Sequence, residues 1–187
     1  MKRVRIEVLV LVALAGASCL TLKAQQIVHA VSGVVTAVDP SKSQITIKTN
    51  DDSGGDFRYQ KQKTDIEFDK LVREGTTQPD GFNKIGDHVV AYYFGVNAVR
   101  TIVALKDFGP SGLKADSGTL VKVKHHALTL KTDAGVTETF DIAKDASAET
   151  SQGVISGLKF DADAGTRVIV RYSDANGQKQ AEFIRAD

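Results

Sequence analysis

Gly33-Val34-Val35-Thr36-Ala37-Val38, a turn, then Ile45-Thr46-Ile47-Lys48-Thr49 recurs as Gly118-Thr119-Leu120-Val121-Lys122-Val123, a turn, then Leu128-Thr129-Leu130-Lys131-Thr132. Ile45/Ile47 and Leu128/Leu130 alternate with Thr and Lys, the period-two pattern of a strand with one buried face. β-branched residues are dense in these runs, as strands favour. The correspondence continues outward. Phe57, Tyr59 and Lys61 fall on Phe140, Ile142 and Lys144. Gly86 to Tyr93 lines up with Gly165 to Tyr172, and Ile102 and Ala104 fall on Ile184 and Ala186. Matched segments in the same order, with short gaps placed between strands, read as an internal duplication.

Turn chemistry separates the runs: Asp39-Pro40-Ser41-Lys42, Asp52-Ser53-Gly54-Gly55, Asp133-Ala134-Gly135 and Asp174-Ala175-Asn176-Gly177. Asn176-Gly177 suits a type I′ hairpin. Only Phe68–Glu74 hints at a helical turn. A sheet of about five short strands leaves exposed edges, and closing it into a barrel removes them. The expected fold is therefore all-β: two tandem small barrels, residues 26–108 and 115–187, joined by a linker at Lys106–Asp116 containing Gly109-Pro110-Ser111-Gly112. Modules this small are marginal alone, so the two are expected to pack together.

Residues 1–24 read as an export signal. Lys2, Arg3 and Arg5 precede an uncharged run from Val8 to Leu20. That run is too short for a membrane-spanning helix, which needs about 20 apolar residues, and it fits a signal peptide. Cleavage is expected after Ala24, with no transmembrane helix in what remains. Cys19 sits where a lipoprotein's acylated cysteine would, but Gly16, Ala17 and Ser18 before it depart from the Leu-Ala-Gly-Cys pattern. Cleavage at Ala24 leaves no cysteine, hence no disulfide. The location expected is the periplasm or the exterior.

Signal removal takes away Lys2, Arg3, Arg5 and Lys23 against Glu7, so 24 basic and 23 acidic residues become 20 and 22, net −2. Nucleic acids and anionic membranes are held by clustered positive charge, and the composition argues against nucleic acid as a partner.

The order Gly-x-Val-x-x-Val-Asp, Ile-Thr-Ile, then Lys84-Ile85-Gly86-Asp87-His88-Val89, resembles a family of secreted bacterial proteins of unknown function. The matching pattern ends in a last strand carrying Ala98 and Ile102. The resemblance implies OB-like barrels over residues 31–106 and 115–187, and supplies no catalytic residue. The second stretch departs from the pattern at Gly165-Thr166-Arg167 and Lys124. The layout also looks distantly like periplasmic copper-handling OB modules of cation-efflux systems. Soft copper wants sulfur ligands, and the only Met is Met1, with no Trp.

Candidate sites are few, and no cofactor is expected. His125 and His126 fall in a turn and could hold a divalent metal, although zinc usually needs three or four ligands; His29 and His88 lie apart from them. Asp51, Asp52 and Asp56, or Asp161 and Asp163, offer oxygens without the closing Glu of a calcium loop. Asp52-Ser53-Gly54-Gly55 echoes the nucleophile segment of trypsin-like proteases but lacks the base and orienting partner such a serine needs. Tyr92, Tyr93 and Tyr172 are candidates for a binding surface, because OB barrels use strand aromatics for stacking. The expected function is a non-enzymatic binding or structural module of the envelope, with an envelope protein as partner. The alternatives are a small-ligand or divalent-metal binder and a hydrolase with an unrecognised site.

Overall fold

The computed structural model describes residues 26–49, 53–61, 69–96, 99–175 and 177–186. The signal segment with Cys19, together with Asp51, Asp52, Phe68, Ala98 and Asn176, lies outside the described residues. In the first half, β1 (His29–Asp39), β2 (Gln44–Lys48), β3 (Gly55–Tyr59), β5 (His88–Phe94) and β6 (Thr101–Asp107) form a sheet ordered β3-β2-β1-β5-β6, closed by a parallel β3–β6 pairing. Between β3 and β5 come a helical turn, α1 (Lys70–Arg73), and a two-residue strand, β4 (Thr76–Thr77), on the outer side of β6. In the second half, β7 (Lys114–Lys124), β8 (Ala127–Thr132), β9 (Thr137–Thr150), β11 (Arg167–Ala175) and β12 (Gln178–Ala186) repeat that order. A parallel β9–β12 pairing closes this second sheet. β10 (Gly153–Ser156) folds back on the end of β9 and leads into a 3₁₀ turn at Gly157–Lys159. The fold is all-β and OB-like.

Alternation does what the sequence requires. Ile45, Ile47, Phe57 and Val89 fill the first barrel, and Leu128, Leu130, Phe140 and Val168 fill the second. The glycines that open the two matched segments share one physical reason. A Cβ on Gly33 would lie 2.4 Å from the Lys48 carbonyl oxygen, and one on Gly118 would lie 2.3 Å from that of Lys131. The first strand of each barrel crosses the second too closely for any side chain. Strand irregularities match as well: β1 is bulged between Val35 and Ala37 and β7 between Leu120 and Lys122, while the β5–β6 and β11–β12 pairings shift at Tyr92/Tyr93 and Arg171/Tyr172. Bulges tighten twist and bend strands, so both barrels turn their corners at corresponding places.

Two elements differ from the expected layout. The linker is shorter than Lys106–Asp116, because β6 runs to Asp107 and β7 begins at Lys114, where Lys114–Asp116 pair with β11. The extension of β9 past Lys144, and β10 after it, have no counterpart in the sequence reading. Their role is to reach the other barrel.

That reach creates a dry seam. Val90 and Tyr92 of β5 and Val103 of β6 point out of the first barrel, yet all are buried, packed with Val28, Ala30, Val72 and with Phe183 of β12. Such strands, covered on both faces, lose their alternation, which is why Val89-Val90-Ala91-Tyr92 and Ile102-Val103-Ala104-Leu105 are continuous apolar runs. Three polar groups caught in the seam are satisfied across it. The Tyr92 hydroxyl bonds Ser147 Oγ at 3.0 Å, and the Val154 N–H donates to the Val28 carbonyl at 2.7 Å. The buried Lys106 ammonium lies 2.7 Å from Asp145 and 3.6 Å from Glu182. At the edge, Lys159 bonds Asp69, which also caps α1 by accepting from the Leu71 N–H.

Two outcomes follow from this packing. Gly33→Ala should lower unfolding free energy by about 1–3 kcal/mol, the usual cost of overpacking, measured by urea denaturation. The Lys159 hydrogen bond holds the Asp69 carboxyl below its ordinary value of 3.8, so its stabilisation is complete above that pH and disappears as pH falls through the lower folded value. Asp69→Asn keeps the cap and loses the charge. It should be less stable than the parent by under about 1 kcal/mol at neutral pH, with the difference closing below pH 3.8; a gap that persists in acid would contradict the assignment.

Candidate functional site

Each barrel is stoppered by the same chemical group. Phe57 and Tyr93 meet edge to face, with centroids 5.1 Å apart, and the Arg100 guanidinium lies 4.0 Å from the Phe57 ring centre. Phe140 and Tyr172 meet edge to face at 5.0 Å, with Lys179 Nζ 5.4 and 5.0 Å from the two rings. The aromatic pairs occupy positions matched in sequence, and the cations do not: Arg100 precedes β6, whereas Lys179 lies inside β12. A cation over an aromatic face is attracted by the ring quadrupole, so two addresses supply one interaction.

The surroundings of the stoppers differ. In the second barrel the strands after Tyr172 are joined by a tight turn, Ala175 pairing with Gln178, and Gly177 has φ 79°. Lys179 is engaged by Glu138 and by Asp116. Burial holds the Tyr172 hydroxyl above its ordinary range, and Asp116 adds to this. In the first barrel a longer β5–β6 connection carries Val96 and Val99 into solvent. Beneath it opens a cleft of about 500 Å³ lined by His29, Ser53, Gly54, Tyr93, Val96 and Arg100. A second hollow of about 380 Å³, lined by Thr36, Thr46, Lys48 and Thr49, meets it at Gly54.

The cleft is organised from both barrels. Arg100 donates to the carbonyls of Ser53 at 2.6 Å and Gly54 at 2.8 Å, which fixes the cleft wall. His29 stands opposite Tyr93 in the β1–β5 register, their ring centres 5.9 Å apart. Its Nδ1 is 2.6 Å from Oε1 of Glu149, at the end of β9, and the other Glu149 oxygen accepts from the Ala30 N–H at 2.7 Å. Burial pushes the Glu149 carboxyl above its ordinary value, opposed by the bonds from His29 and Ala30. Burial likewise raises Tyr93, with Glu149 adding to the shift and Arg100 opposing it.

The structure places the sequence-derived candidates as follows. Tyr92 has no exposed surface and sits in the seam, so it presents no face to a ligand. Tyr93 is half-buried on the cleft wall, and Tyr172 is buried at the second stopper. His125 and His126 form the two-residue turn between Lys124 and Ala127, both exposed and both left-handed, at φ 51° and 59°. His88 packs its ring under Gly112, away from the other histidines. Asp161 and Asp163 are exposed, and Asp56 bonds Thr46. Among the described residues, no group of three or more His, Cys, Asp or Glu side chains is placed to hold a metal. Ser53 does share a cleft with His29, although the described bond of its hydroxyl runs to Thr49. His29, Arg100 and Glu149 were missed as a group, since 120 residues separate His29 from its carboxylate. The signal available was the unexplained apolar pair Val96 and Val99 on one loop.

No protein-family model matches the chain, and no curated protein matches it. Among solved structures it is similar to one titled "drosophila Unr CSD456", at 14% identity and a TM-score of 0.33, over 86% of this chain and 61% of that one. The chain thus spans less than two thirds of that structure's length. The likeness is too distant to transfer anything about what this chain binds. Among the described residues, no helix is long and apolar enough to cross a membrane.

Removing the cation should expose the difference between the stoppers. Arg100→Leu strands two carbonyls and should cost about 2 kcal/mol or more. Lys179→Leu, breaking pairs that keep partial water contact, should cost about 1 kcal/mol. Equal losses in chemical denaturation would contradict this ranking.

Proposed function

We propose that the protein is an exported, non-catalytic binding module in which the first barrel takes the ligand and the second braces it. The observation that carries this reading is the cleft of about 500 Å³ where His29, Tyr93, Val96 and Arg100 converge. Its volume falls in the range of small-molecule sites, and its open wall sets the rings of His29 and Tyr93 beside polar groups. OB barrels bind through the face of their second and third strands and through adjoining loops. Here the cleft is lined by His29 of β1, Tyr93 of β5, Ser53 and Gly54 ahead of β3, and the β5–β6 connection, and the hollow that meets it at Gly54 lies on β1 and β2. Export rests on the first 24 residues, with Lys2, Arg3 and Arg5 ahead of the Val8–Leu20 run. The barrels are inferred to be tandem copies, supported by the matched glycines, bulges and aromatic pairs.

Ligand-observed NMR with a library of small ring compounds tests the reading on the purified protein. Hits should shift the amides of Gly54, Tyr93 and Val96. Val96→Asp, an exposed position, should weaken them tenfold or more, about 1.4 kcal/mol, without lowering the melting temperature. Hits that map instead to the second barrel, or a library with no hits, would overturn the proposal.

A further inference from the structure

Glu149 belongs to the second barrel, yet its carboxylate is spent on the first barrel's cleft. One oxygen is fixed by the Ala30 N–H at 2.7 Å and the other meets His29 Nδ1 at 2.6 Å. A carboxylate on one imidazole nitrogen sets the tautomer and ring orientation. When the ring is neutral with its proton on Nδ1, donating to Glu149, Nε2 carries the lone pair, and among the described residues no hydrogen bond occupies it. The His29 side chain is 30% exposed and lines the cleft. Among the other polar groups of the wall, Arg100 places its two terminal nitrogens on the Ser53 and Gly54 carbonyls, while its Nε is buried without a hydrogen-bond partner among the described residues. The cleft therefore offers an acceptor between a tyrosine ring and an exposed valine.

We infer that His29, held by Glu149 of the second barrel, is the residue that selects the ligand, and that the ligand is a ring-bearing small molecule presenting a hydroxyl or N–H to His29 Nε2. This rests on the cleft being the binding site. It also gives the second barrel its part in recognition: Glu149 is a positioning residue, acting only through the imidazole. An acceptor buried beside a ligand lacking the donor goes unpaired, and that penalty discriminates between ligands of equal shape.

Phenol and anisole share a ring, and only phenol can donate. Affinities of both for the purified protein, measured by NMR titration, should differ about fivefold or more in favour of phenol, the worth of one neutral hydrogen bond. Histidine ¹⁵N spectra should place the His29 proton on Nδ1. Glu149→Gln should bring the two affinities together and leave anisole unchanged, whereas general damage to the fold would weaken both. Equal affinity for phenol and anisole in the parent protein, or a proton on Nε2, overturns the role of His29 and leaves the cleft standing. If neither compound binds, the cleft reading falls as well.

Discussion

The constraint on which the molecule turns is that the outer face of β5 and β6 carries large apolar side chains as the inner face does. A strand pair of that kind cannot stand in water on one side, and the second barrel supplies the cover through β9, β10 and β12. The tyrosine at the centre of the contact shows how strict the arrangement is. Tyr92 is fully buried, and burial drives its hydroxyl well above the ordinary tyrosine range. A hydroxyl in such a place requires a partner, and Ser147 of the other barrel provides it. Lys106 obeys the same rule on a larger scale: an ammonium out of water is tolerable only beside its carboxylates, and both of them come from the second barrel.

The two barrels reach similar ends by unequal means. Matched glycines permit the close crossing of the first two strands, matched bulges bend the walls, and matched aromatic pairs fill one end. The cation over each pair comes from a different place, the connection before β6 in one barrel and the interior of β12 in the other. The loops then separate the two halves, because a tight hairpin after Tyr172 leaves little room and the longer connection after Tyr93 frames a cleft. The interior is common to both, and individuality is carried by connections, as is usual where a rigid scaffold positions variable loops.

What could be read from the sequence follows the reach of periodicity. Alternation at Ile45/Ile47 and Leu128/Leu130 fixes local strand faces, and runs such as Asp39-Pro40-Ser41-Lys42 and Asp133-Ala134-Gly135 mark turns between them, so the barrel strands are legible. Alternation also puts Tyr92 and Tyr93 on opposite faces. It could not say which of them meets water, because that depends on a barrel placed only by tertiary contact. The unbroken runs Val89 to Tyr92 and Ile102 to Leu105 did announce a second cover without naming it. His29 was legible only as a lone histidine: its meaning lies in Glu149, and no pattern along the chain ties those two positions. The reading of His125 and His126 as turn residues was local, and the turn is where they lie.

The closures of the two barrels are not equally strong. In the second, parallel pairing of β12 with β9 runs from Gln180–Asp141 to Arg185–Glu149. In the first, the β3–β6 pairs among the described residues are Arg58–Thr101 and Tyr59–Ile102. Strand contacts with so little ladder are where native proteins open first. The first barrel is thus a cylinder with a short zip beside its own mouth. Hydrogen exchange there would be governed by local opening, and a guest that bridged Gly54 to Val96 would fasten it.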